Sequence, residues 1–139
     1  MVIAVDFDGT IVEHRYPRIG AEIPFAVETL KLIQTELKHT LILWTVREGE
    51  LLEEAMKFCT DRGLYFYAIN SNEPGSRKGE HSRKIVADLY LDDRNFGGLP
   101  DWGFIYRSLK ERPDLCLTTE IFREAPVTEL PKKRRGFFR

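Results

Sequence analysis

The chain has 139 residues, the size of one ordinary domain: enough to bury a core and too few for two. Its 42% hydrophobic and 31% charged content excludes a disordered or membrane-embedded protein, and no apolar run approaches the ~20 residues that span a bilayer. Lys and Arg total 21 against 22 Asp and Glu, but five basic residues crowd into the last eight, KKRRGFFR, which leaves 16 against 22 and hence net −6 elsewhere, so the body is no general nucleic-acid binder.

In chain order, Val2-Ile3-Ala4-Val5 is an apolar, largely β-branched run that stops at Asp6, as expected for a strand buried on both faces of a parallel sheet. Ile23-Pro24 opens a helical pattern in which Ala26, Leu30, Ile33 and Leu37 share one face. Thr40 to Trp44 reads as a second strand, followed by Thr45. The next helix has an inner face of Leu51 or Leu52, Ala55, Phe58 and Cys59 and is stopped by Gly63. Leu64 to Ile69 predicts a third strand, the turn formers Asn70 to Gly75 a loop, and Asp88 to Leu91 a fourth strand ending in Asp92-Asp93. A helix over Trp102 to Glu111 and a short strand around Leu115 to Phe122 complete the pattern. The alternation predicts an open, mainly parallel α/β sheet with helices on both faces, in three Rossmann-like layers, over a single domain of residues 1–130 with a basic tail at 131–139.

Ligands in such sheets bind beyond the carboxyl ends of the strands, where this chain carries Asp6, Thr45 and Asp93. Asp6-Phe7-Asp8-Gly9-Thr10 sets two carboxylates at i and i+2 as a strand ends, with Gly9 free to turn the backbone away. Taken alone it also fits a capped turn. The second acidic pair, Asp92-Asp93, changes the balance, because carboxylates brought from separate strand ends suit a divalent cation. Neither cluster contains His or Cys, which implies a hard, oxygen-liganded ion such as magnesium. Cys59 and Cys116 lie in no metal-type spacing and read as reduced packing residues.

These residues resemble, in order and spacing, the four signatures of the haloacid dehalogenase superfamily of phosphatases. Asp6-Phe7-Asp8-Gly9-Thr10 resembles the first, Thr45 after Leu-Ile-Leu-Trp the second, Lys84 the third and Asp92-Asp93 the fourth in a double-Asp form. The resemblance implies that Asp6 attacks phosphorus and forms an aspartyl-phosphate, with Asp8 as the general acid and base. It implies Mg2+ held by Asp6, the Asp8 main-chain carbonyl and Asp93, with Asp92 supporting or substituting for Asp93. Thr45 and Lys84 would bind the phosphoryl oxygens, with Lys78 the competing cation. Arg47, Asn70 and Asn72 are candidate substrate contacts, Arg47 lining the entrance.

Neither the gap Ile11 to Trp44 nor the gap Val46 to Arg83 has room for a cap domain, so the chain resembles the capless branch, whose site stays open unless a second subunit of a homo-oligomer covers it. The expectation is a cytoplasmic, Mg2+-dependent phosphomonoester hydrolase acting on a phosphorylated small molecule. Two alternatives stand beside it: a nucleic-acid end phosphatase, raised by the open site and basic tail but not favoured, and a non-catalytic phosphate-binding or assembly module.

Overall fold

The computed structural model describes residues 1–77, 80 and 82–111. Four parallel strands, β1 (Val2–Val5), β2 (Thr40–Leu43), β3 (Ala68–Ile69) and β4 (Leu89–Leu91), lie in the order β3-β2-β1-β4. Three helices, α1 (Ala26–Thr35), α2 (Gly49–Thr60) and α3 (Trp102–Glu111), connect or follow them. The parallel α/β architecture expected from the alternation is what forms. The expected strand around Leu115 to Phe122 and the basic tail lie outside the described residues.

Residue alternation along each strand divides the core in two. Ile3, Val5, Leu41, Leu43 and Leu91 pack on one face against Ala26, Val27, Leu30 and Ile33 of α1, Ala55 and Cys59 of α2, and Trp102, Ile105 and Leu109 of α3. The intervening Ala4, Ile42 and Ala68 face the other way and pack against Ile85, with Trp44, Ala87 and Tyr90 beside them. Among the described residues all three helices therefore cover one face, and the second helical layer that was expected is not found among them. The physical reason lies in the β3 to β4 crossover. It holds Asn70, Ser71, Asn72, Pro74 and Gly75 and lacks the 3.6-residue apolar period that a second helical layer needs.

Local chemistry explains the ends of the elements. Phe25 adopts φ 66° before α1, so the helix starts two residues after Pro24. Leu37, expected on the helix, follows its end but still packs against the core. Gly63, at φ 73°, takes the left-handed turn that ends the α2 segment. At α3, Asp101 Oδ1 accepts the Phe104 N–H at 2.9 Å, capping the helix. Only Ala68 and Ile69 of the predicted third strand join the ladder, although the Tyr67 N–H also reaches the Leu41 carbonyl. No described helix is long and apolar enough to cross a membrane.

Candidate metal and phosphate site

The sheet order brings the two acidic strand ends together. Val5 pairs with Leu91, and the Asp6 N–H donates to the Leu91 carbonyl at 2.9 Å, so Asp6 and Asp92-Asp93 leave neighbouring strands at the same level. One carboxylate oxygen from each of Asp6, Asp92 and Asp93 lies within 4.8 Å of the others. Buried Thr10 links the clusters: its hydroxyl donates to Asp6 Oδ2 at 3.3 Å and accepts the Asp93 N–H at 3.1 Å.

Three converging carboxylates repel one another. Burial, opposed by a hydrogen bond from the Phe7 N–H and reinforced by the charges of Asp92 and Asp93, pushes the Asp6 pKa up to about 7. The two adjacent acids are held differently. Asp92 Oδ1 accepts the Arg94 N–H at 2.8 Å, whereas Asp93 Oδ1 is buried with no hydrogen-bond partner among the described residues. The Asp93 carboxylate also rests in a cradle that any side chain at Gly9 would fill, because a Cβ there would lie 2.3 Å from Asp93 Oδ2. A buried acceptor without a donor, beside two more carboxylates and no nitrogen or sulfur donor, fits a hard divalent cation.

Asp8 turns away from this cluster. Its carboxylate is 6% exposed and both oxygens are taken by Arg47, which is fully buried: Nε donates to Oδ2 and Nη2 to Oδ1, each at 2.7 Å. Arg47 Nη2 also reaches the Arg18 carbonyl at 3.1 Å, and Nη1 reaches those of Pro17 at 3.0 Å and Leu51 at 3.4 Å. The guanidinium carbon lies 5.2 Å from the Phe7 ring centroid and 5.3 Å from that of Tyr16. All five donors are thus engaged. Asp8 hydrogen bonding pushes the Arg47 pKa above its ordinary value, against the effect of burial. Arg47 was expected to line the entrance. It is instead an interior tie between the β1 end, the 14–18 loop and α2, because a planar fork matches a carboxylate and surplus carbonyls better than solvent does.

The remaining expected residues divide. Thr45 stands at the end of β2, beside β1. Its N–H donates to Asn70 Oδ1 at 2.8 Å and its hydroxyl oxygen accepts the Arg47 N–H at 3.2 Å, so the hydroxyl proton is available to an incoming oxygen. The Asn72 amide is spent on the backbone of Val86, donating to its carbonyl at 2.6 Å and accepting its N–H at 2.9 Å. Lys84 is exposed, with Nζ 5.2 Å from the Tyr90 ring centroid. Among the described residues it makes no ion pair with Asp6, Asp92 or Asp93. Lys78 lies outside the described residues.

An open cleft of about 730 Å³ adjoins Thr45 over the ends of β2 and β3. Arg83, rather than Lys84, lines it, together with Arg77, Asn70 and Asn72. On the other side of the acidic cluster, the 14–18 loop meets the strand ends through a 3.3 Å contact between His14 Nε2 and Arg94 Nη2.

A solved structure of a conserved protein from Bacteroides thetaiotaomicron is similar to this chain, with 69% identity over 80% of this chain and 90% of that one and a TM-score of 0.75. The chain belongs to that protein's family. No protein-family model matches the chain, and no curated protein does so.

Three features of the site escaped the sequence reading. Thr10 belongs to the first motif, but its bridging role depends on Asp93, 83 positions away. The Asp8–Arg47 pair spans 39 positions. Arg83 differs from Lys84 only in which side of the crossover it faces. A position two residues beyond a strand-ending Thr was the one available signal for Arg47, and it did not reveal the partner.

Proposed function

We propose that the chain is a Mg2+-dependent phosphomonoester hydrolase in which Asp6 accepts the phosphoryl group. The observation that carries this reading is the convergence of Asp6, Asp92 and Asp93 at neighbouring parallel strand ends, with one oxygen of Asp93 buried and, among the described residues, unpartnered. The haloacid dehalogenase resemblance supplies the chemical roles, and the capless α/β arrangement is compatible with it.

Asp6, Asp93 and Asp92 would hold the cation, with the Asp8 main-chain carbonyl assigned by resemblance. When bound, the cation lowers the repulsion between carboxylates and phosphate and polarises a phosphoryl oxygen. The protein's own part begins with Asp6. Its carboxylate attacks phosphorus as the ester oxygen leaves, giving an aspartyl-phosphate, and water then cleaves that bond to release inorganic phosphate. Thr45 donates its hydroxyl to a phosphoryl oxygen, and the Asn70 side chain fixes the Thr45 backbone for that contact.

Asp8 handles protons in this scheme. Arg47 occupies one acceptor site on each Asp8 oxygen, leaving a lone pair on each through which Asp8 can accept a proton from the hydrolytic water. A proton held on either of those lone pairs passes to the ester oxygen as it leaves, and the hydrolytic water restores it in the second step.

The test is phosphate release from phenyl phosphate with Mg2+, with EDTA, and in Asp6→Asn. The reading expects release that depends on Mg2+ and a loss of at least ~10³-fold in the variant. Unchanged release in Asp6→Asn would remove the mechanism.

A further inference from the structure

The strand order arranges the functional groups in a row, with the acidic cluster over β1 and β4, Thr45 next at β2, and the open cleft over β2 and β3. A phosphoryl group seated at Asp6 and Thr45 therefore has the cleft beside it as the place for the rest of its molecule. At about 730 Å³ the cleft suits a small molecule. Leu52, Ile69 and Trp44 supply apolar wall, Glu48 lies at the α2 side, and Arg77 and Arg83 come from the 70–83 segment.

These two arginines are the decisive feature. Both are exposed, and among the described residues neither guanidinium has a carboxylate partner. Glu48 shares the cleft lining and Glu80 Oε2 accepts the Arg77 backbone N–H at 3.0 Å, yet the residues before the last eight carry 16 basic against 22 acidic side chains, so two arginines against one acid in the lining is a local excess of positive charge. The described residues that flank them are tied down: Asn70 to Thr45 before Arg77, and Asn72 to both backbone groups of Val86, three residues after Arg83. An anchored loop holds its cations ready and lowers the ordering cost of binding.

We infer that the cleft recognises the body of the substrate and selects a phosphate ester that carries a second anionic group, a carboxylate or another phosphate. This inference rests on the phosphatase reading above and adds a substrate class to it. Guanidinium groups bind both anions through charge-assisted, bidentate hydrogen bonds. A polynucleotide is the poorer fit, since among the described residues two cations line one short cleft and make no track along a phosphate backbone.

Matched ester pairs test the idea. Fructose 1,6-bisphosphate against fructose 6-phosphate isolates a second phosphate, and 3-phosphoglycerate against glycerol 3-phosphate isolates a carboxylate. In at least one pair kcat/KM should favour the doubly anionic member by about tenfold or more, mainly through KM. The responding pair identifies the anion. The preference should collapse toward unity in the Arg77→Gln, Arg83→Gln double variant and weaken in about 0.5 M salt. Phenyl phosphate hydrolysis with ratios near one in both pairs would overturn the cleft assignment and leave the phosphatase reading standing. Preferential hydrolysis of a 5′-phosphorylated oligonucleotide over every small ester would also overturn it. No phosphate release from any ester, phenyl phosphate included, would remove both.

Discussion

Arg47→Met tests the interior tie without reference to catalysis. Methionine keeps an unbranched chain in the space between Phe7 and Tyr16 but removes every donor to Asp8, which stays 6% exposed. Stranding one member of a buried ion pair costs about 3–5 kcal/mol. The carbonyls of Pro17, Arg18 and Leu51 also lose a donor, yet Pro17 and Arg18 lie on an exposed loop where water can replace it. A chain of 139 residues unfolds with an entropy of roughly 0.29 kcal/mol/K, so each kcal/mol moves Tm by about 3–4 °C. The expected fall is about 10–17 °C. Urea unfolding of Arg47→Met, Asp8→Asn and the double variant completes a cycle. The double variant should be more stable than Arg47→Met alone, because it no longer buries an unpaired charge. A cost below about 1 kcal/mol for Arg47→Met, or strict additivity, would refute the claim that the pair holds the 14–18 loop to the sheet.

Other outcomes follow from the acidic cluster. Gly9→Ala drives a Cβ to 2.3 Å from Asp93 Oδ2 at φ 90°, so it should lower stability by about 1–3 kcal/mol and weaken Mg2+ binding by calorimetry at least tenfold; an unchanged affinity would argue against the Asp93 position. The Asp6 pKa is raised from 3.8 to about 7, mainly by burial, so its contribution to stability without metal is fully present below about pH 4 and is lost as pH rises through about 7. The metal-free chain should therefore weaken relative to Asp6→Asn across that window, and parallel pH profiles for the two would contradict the geometry. Mg2+ at ~100 times its dissociation constant should stabilise the folded chain by about 2.7 kcal/mol, more at pH 8 than at pH 5, as thermal melts would show. Thr10→Val removes the hydroxyl that joins Asp6 to Asp93 and should weaken Mg2+ binding severalfold with the fold intact by circular dichroism.

Much of the scaffold was legible because its signals are local. A short run of apolar or aromatic residues ended by an acid marks both a strand and the end at which ligands gather, which is why Val2–Val5 with Asp6 and Leu89–Leu91 with Asp92-Asp93 could be read one at a time. Helical periodicity marked α1 and α2 in the same way, Pro113 marked the end of α3, and the resemblance to known phosphatases rested on the order of these same strand ends. That the described residues of the β3 to β4 crossover form no helix was also written in its Asn, Pro and Gly residues, although the rhythm of the rest of the chain invited a second helical layer.

Tertiary structure decided which charged groups meet. Asp6 reaches Asp92 and Asp93 because β4 lies beside β1 in the sheet, and strand order is not a periodic property of sequence. Arg47 binds Asp8 because the 14–18 loop and α2 close around a buried carboxylate that has room for one planar cation. Lys84 and Arg83 are neighbours with equal claim on phosphate until the path of the crossover sets one over Tyr90 and the other against the cleft. Local patterning encodes burial and direction, whereas a long side chain finds its partner only after the loops carrying it have been laid across the strand ends.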